Sequence, residues 1–138
     1  MRVVIDTNVL VSGLRSRNGP SFRLLQKLAE GALRAVVSPP VFLEYEDVLK
    51  RPGLVPALSA EDVDDFLDYF LHASIECKVH FLWRPQLSDP NDDMLLELAL
   101  AGSAAYIVTF NARDFAAAVR FGIRIVTPRE FLAILEAA

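Results

Sequence analysis

Short β-branched runs alternate with longer stretches of helical periodicity along the chain. Arg2 to Ile5 is the first such run. Arg34 to Val37, Ile75 to Phe81, Tyr106 to Thr109 and Ile123 to Val126 supply four more, each of a length suited to a buried strand. Between them, Phe22, Leu24, Leu25, Leu28 and Ala29 recur at helical spacing from Pro20 to Glu30, and Gly31 follows as a stop signal. Ser38-Pro39-Pro40 opens another helix with a capping residue and proline in the first turn, and Pro52-Gly53 closes it. Ser59 and Asp62 have capping-box spacing at the head of a helix running to about His72. Further helices are expected from near Val9, from Asp89-Pro90 to near Gly102, from Asn111 to near Gly122, and from Thr127-Pro128-Arg129-Glu130 onward. The proline-rich stretches Pro52 to Pro56 and Trp83 to Pro90 read as loops.

Strands that alternate with helices pair in parallel, because each crossover helix packs back across the sheet. The expected fold is therefore α/β: a three-layer open parallel sheet of about five strands with helices on both faces, formed as one domain over residues 1–138. Ligands of such sheets bind beyond the carboxyl ends of the strands, where strand order reverses. Acidic residues just past a strand are for that reason the first candidates for chemistry.

Four acidic spots meet that condition. Asp6 ends the first strand, where a desolvated carboxylate needs a cation or strong donors; its plain alternative, shared with Thr7 and Asn8, is capping of the next helix. Glu44 lies on the stripe of Val41, Tyr45, Val48 and Leu49 and so faces inward, while Glu46 and Asp47 lie off it, Asp47 in reach of Lys50 or Arg51. The alternative for Glu44 is a partly buried acid paired with an arginine. In Asp89-Pro90-Asn91-Asp92-Asp93, Asp89 reads as the N-cap, Asp92 shares a face with Leu95, Leu96 and Ala99, and Asp93 lies toward Glu97 at the rim. Asn111 and Asp114 follow the fourth strand, and by spacing alone they also suit a reciprocal cap.

Composition narrows the field. The 138 residues are 53% apolar, enough for a sizeable core, and the longest apolar stretches are broken by charges such as Glu97 before they reach a membrane span. Asp6 interrupts the opening apolar run, so no signal peptide is expected, and the single Cys77 excludes an internal disulfide and fits a reducing cytoplasm. Cys77 itself reads as a half-buried strand residue. The net charge of −4 with scattered Lys and Arg argues against whole-molecule steering of a nucleic acid, although two bound divalent cations would cancel it.

Taken in order, Ile5-Asp6-Thr7-Asn8-Val9-Leu10-Val11-Ser12, Glu44-Tyr45 with Val48-Leu49 and Arg51-Pro52, Asp89-Pro90-Asn91-Asp92-Asp93, and Val108-Thr109-Phe110-Asn111 with Asp114-Phe115 resemble the PIN-domain family, in particular its VapC-like branch of toxin components of toxin–antitoxin pairs. The resemblance spans Arg2 to about Phe131. It implies a Mg²⁺- or Mn²⁺-dependent ribonuclease, with Asp6, Glu44, Asp92 and Asp114 as catalytic and metal-binding acids; Asp93, from its place on the helix beside Asp92, reads as a helper through water. Thr7, Asn8, Thr109 and Asn111 would support them, and Arg113, with Arg15 and Arg17 of the first loop, would hold RNA phosphates. The plain alternative for the arginines is surface solubility. The resemblance further implies a homodimer and a small antitoxin protein that covers the acidic cleft. One departure stands out: close relatives often carry an aspartate where this chain has Asn111, which leaves the fourth carboxylate to Asp114 or weakens a second metal site.

The residue types agree with that chemistry. Hard oxygen donors suit Mg²⁺ or Mn²⁺, His72 and His80 stand alone rather than in a zinc-type cluster, and no glycine loop for an organic cofactor is present. The carboxyl groups are expected to lie about 4–7 Å apart, in reach of one ion. Two other classes compete. An aspartyl phosphatase also places an acid after the first strand, but it usually needs a second acid where Asn8 stands; a non-catalytic module would bind metal or a partner without cutting RNA.

Overall fold

The computed structural model describes residues 1–79 and 89–137. Its elements follow in the order β1 (Arg2–Ile5), α1 (Thr7–Arg15), α2 (Pro20–Ala29), β2 (Arg34–Val37), α3 (Pro39–Leu49), α4 (Ala60–His72), β3 (Ser74–Glu76), α5 (Pro90–Ala101), β4 (Tyr106–Val108), a 3₁₀ segment (Ala112–Phe121), β5 (Arg124–Val126) and α6 (Pro128–Ala137). The five strands form one sheet in the order β3-β2-β1-β4-β5, and every neighbouring pair is parallel. This is the expected α/β sheet.

Strand composition explains the layering. Successive strand residues point to opposite faces, yet Val3, Val4 and Ile5 are all at 0% exposure, so both faces of β1 are covered. Each such side chain contributes about 1.5–3 kcal/mol through removal from water. Helix ends are closed as their sequences require. Ser59 and Asp62 exchange hydrogen bonds of 2.9 and 3.1 Å in a complete capping box, and Thr127 and Glu130 do the same at 2.8 and 3.2 Å. Between α1 and α2 the contact depends on Gly13, where an added Cβ would stand 2.7 Å from Leu25 Cδ1 and 3.2 Å from the Ser21 carbonyl oxygen. The expected ion pair of Asp47 forms with Arg51 at 3.0 Å on an exposed face.

Two elements differ from the sequence reading. The third strand is shorter than Ile75 to Phe81: it ends at Glu76, although the Cys77 amide still donates to the Val37 carbonyl at 2.7 Å, leaving Cys77 half-buried at the strand's end. Lys78 and Val79 follow without strand structure, and His80, Phe81 and most of the Trp83 to Pro90 connector lie outside the described residues. The expected helix from Asn111 is a 3₁₀ segment with non-helical backbone at Phe115, where φ is −111° and ψ is 17°. Long 3₁₀ runs are unfavourable, and buried Phe115 anchors the point at which two short turns meet.

Strand order determines where a site forms. From β1 the chain moves outward to β2 and β3, then returns to place β4 and β5 on the other side of β1. The reversal lies between β1 and β4, paired through Ile5 and Val108, so residues just past those two strands flank the crevice.

Candidate active site at the switch point

Asp6 and Thr109 occupy those two positions. Asp6 stands at the N-cap position of α1 without a side-chain capping bond. Its Oδ2 instead accepts a 2.6 Å hydrogen bond from the Thr109 hydroxyl, whose oxygen accepts from the Asn111 amide at 3.0 Å. Thr109 is fully buried, so its hydroxyl is held in one orientation by a donor on one side and a carboxylate on the other. Burial pushes the Asp6 pKa up, the Thr109 hydroxyl and the first-turn amides of Thr7 and Asn8 pull it down, and the negative charge of Asp114 raises it again. Neither amide reaches capping geometry, so the helix-cap alternative for Asp6 is not what holds this side chain.

Around Asp6 lies a hollow of about 180 Å³ whose wall includes Thr7, Asn8, Glu44, Asp92 and Asn111. Acidic residues from three distant parts of the chain thus line one space: Asp6 just past β1, Glu44 of α3 and Asp92 of α5. Asp92 sits in the first turn of α5, half-buried, with its pKa pushed up to about 7 by burial first and then by the negative charges of Asp89, Asp6, Asp114 and Asp93. Among the described residues no Lys or Arg lies in ion-pair distance of Asp6, Glu44, Asp92 or Asp114, so the arginine-paired alternative for Glu44 finds no partner there. Asn8 adds a buried Oδ1 with no hydrogen-bond partner among the described residues. Acceptors outnumber donors in this hollow.

Other predicted residues are placed differently. Asp93, expected at the rim, is 3% exposed and is not part of the hollow's wall, because the helix turns it under the first turn of α5. Asp114 is exposed and also off the wall, while its charge still acts on Asp6 and Asp92. Its amide donates to the Asn111 carbonyl at 3.0 Å, and no reciprocal side-chain cap forms. Arg15 ends α1, Arg17 follows it and Arg113 opens the 3₁₀ segment; all three are exposed. Among the described residues no group of three His, Cys, Asp or Glu side chains is already arranged to hold an ion, so the acids share a hollow without forming the ready chelate that spacings of about 4–7 Å would give. Like charges placed around one low-dielectric space repel, and here they stand around its perimeter.

Sequence reasoning missed part of the wall. Asn91 and Met94 border the hollow, as does Asp89, which also caps α5 by accepting from the Asn91 amide at 2.9 Å. Asp89 and Asn91 belong to the acidic run that drew attention to Asp92, but nothing in helical spacing distinguishes a capping side chain from one that also faces a cleft.

An all-parallel sheet with carboxylates from separate elements gathered at its switch point defines an acidic-cleft α/β protein. The PIN domain family model matches residues 2–113, and the chain belongs to that family, whose members are generally nucleases and generally use divalent metal ions. The match ends one residue before Asp114. No curated protein matches the chain. Among solved structures, a chain in the crystal structure of VapBC2 from Rickettsia felis bound to a DNA fragment from their promoter is similar, with a TM-score of 0.64 and 18% identity over 92% of this chain and 98% of that one. At that identity the likeness is one of fold.

Proposed function

We propose that this protein is a Mg²⁺- or Mn²⁺-dependent endoribonuclease, and that it acts as the toxin of a toxin–antitoxin pair. The observation that carries the reading is the convergence of Asp6, Glu44 and Asp92 on one hollow with no Lys or Arg paired to them among the described residues. Unpaired carboxylates in a partly desolvated space are costly, and a hard cation offsets that cost. The donor types fit, since acidic residues from three separate parts of the chain line the hollow and carboxylate oxygens are the hard ligands that Mg²⁺ or Mn²⁺ takes. Asp6, Glu44 and Asp92 would hold the ion, and Asp114 and Asp93 would act from outside the wall. When bound, such a cation supplies Lewis-acid activation of water and neutralisation of charge at a scissile phosphate.

The chain's own residues have separable roles. The Thr109 hydroxyl orients Asp6 and favours its ionised form against the opposing effect of burial, through a hydrogen bond whose donor is itself fixed by the Asn111 amide. Asp92, with Asp114 as the other candidate, takes the proton from an attacking water at a carboxylate oxygen, and of the two it is Asp92 that borders the hollow. Arg113, Arg15 and Arg17, exposed and without ion-pair partners among the described residues, would hold RNA phosphates.

The toxin assignment draws on the likeness to a chain of a VapBC2 complex. With the toxin assignment we propose a cognate antitoxin over the acidic cleft, a homodimer and a cytoplasmic setting. No helix among the described residues is long and apolar enough to cross a membrane. A second reading, a weak or inert PIN module that binds metal or a partner, draws on Asn111 in the wall and on Asp114 off it. One assay separates the two. Fluorescent RNAs of varied sequence are incubated with Mn²⁺ and either the wild-type chain or Asp6→Asn. The ribonuclease reading expects cleavage by wild type, loss of about 100-fold or more in the variant, and arrest by chelator. Equal inertness of both proteins across the panel would overturn it.

A further inference from the structure

Tyr45 does not line the hollow, yet it joins two of its walls. It follows Glu44 on α3, is at 0% exposure, and donates from its phenol to the carbonyl oxygen of Ile5, the residue that precedes Asp6. Among the described residues no other hydrogen bond links α3 to β1. The ring is held edge-on against Phe70 of α4, with centroids 5.6 Å apart and planes at 83°.

Apolar packing confines a helix to a face of the sheet, but it is not directional; a hydrogen bond at a fixed ring angle is. Neighbouring helix residues point about 100° apart, so locking Tyr45 onto the end of β1 also sets where Glu44 points. We infer that Tyr45 is a positioning residue: its bond to the Ile5 carbonyl aligns the Glu44 carboxylate with Asp6 across the hollow and thereby sets the hollow's affinity for a divalent cation. This inference rests on the proposed reading of the hollow as a metal site, and nothing in the helical stripe of α3 distinguishes Tyr45 from an ordinary core aromatic.

The test is Tyr45→Phe, which removes one oxygen and keeps the ring against Phe70. Mn²⁺ binding is measured by isothermal titration on the full chain. Measurements are made at low temperature with trimethylamine N-oxide, which favours the compact state and keeps a weakened variant folded. Folding is checked by circular dichroism. The expected result is a folded variant whose Mn²⁺ dissociation constant rises about 10- to 100-fold, the usual effect of losing a group that orients a metal ligand. In a double-mutant cycle, adding Tyr45→Phe to Glu44→Gln should weaken binding little further, because both act through one carboxylate. Ser59→Ala, which destabilises α4 at a remote cap, serves as the control and should leave the dissociation constant unchanged; a merely structural role for Tyr45 would make the two variants behave alike. Wild-type affinity in Tyr45→Phe, or full additivity with Glu44→Gln, would overturn the inference and leave the metal-site reading standing. Absence of Mn²⁺ binding by the wild-type chain would remove both.

Discussion

Replacing Asp92 with asparagine should stabilise the metal-free protein at neutral pH while removing its response to cations. The reason is electrostatic. Asp92 ionises against burial and against the charges of Asp89, Asp6, Asp114 and Asp93, and its pKa rises from 3.8 to about 7. A carboxyl whose pKa is higher in the folded chain than in the unfolded one binds its proton more tightly when folded, so ionising it costs stability. That cost is absent below about pH 4, grows between pH 4 and 7, and is complete above pH 7. At 1.36 kcal/mol per pH unit the full gap corresponds to about 4 kcal/mol. Asp92 is only half-buried, however, and solvent screening brings the expected gain for Asp92→Asn to about 1–2 kcal/mol at pH 8. Urea denaturation followed by circular dichroism, in EDTA at several pH values from 5 to 8, measures it. The two proteins should converge toward acid pH and diverge toward pH 8, with the variant the more stable. A variant no more stable than wild type at pH 8, or a difference that does not change with pH, would refute the account of Asp92 as a carboxylate strained by its neighbours.

Further outcomes follow from the same geometry. Mn²⁺ at about 100 times its dissociation constant should stabilise the wild-type chain by about 2.7 kcal/mol, reversibly with chelator, and Asp6→Asn should lose most of that gain in a thermal-shift assay. Thr109→Val removes the donor to Asp6 while nearly conserving shape, and should cost about 1.5–3 kcal/mol; because Asp6 then ionises with less support, the loss should be larger at pH 8 than at pH 5. Equal stability of the two proteins at pH 8 would count against a charge-assisted bond there. Gly13→Val should destabilise by about 1–3 kcal/mol, since its side chain would meet Leu25 and the Ser21 carbonyl between α1 and α2; an unchanged urea midpoint would contradict the close approach.

Local patterns foretold most of the architecture. All five strands and the helices between them were legible because β-branched runs, capping residues and proline positions act over a few residues, and parallel pairing follows from their alternation. The misreadings are local as well. Strand three stops at Glu76 although the β-branched pattern continues, and the segment after Asn111 takes 3₁₀ geometry because buried Phe115 and the return to β5 constrain a chain whose periodicity alone reads as α-helix.

For the site, the acids at strand ends were visible as candidates, but each had a structural alternative that spacing left open. Tertiary structure separated these: Asp6 turns to Thr109 instead of capping α1, Asp89 both caps and borders the cleft, and Asp93 is buried where a rim position was expected. The primary sequence by itself determined which segments are strands or helices and which carboxylates lie near strand ends, because those properties depend on neighbours a few residues away. Only the folded arrangement decided that Asp6, Glu44 and Asp92 share one hollow and that Tyr45 ties α3 to β1, because strand order and cross-chain contacts join residues separated by tens of positions.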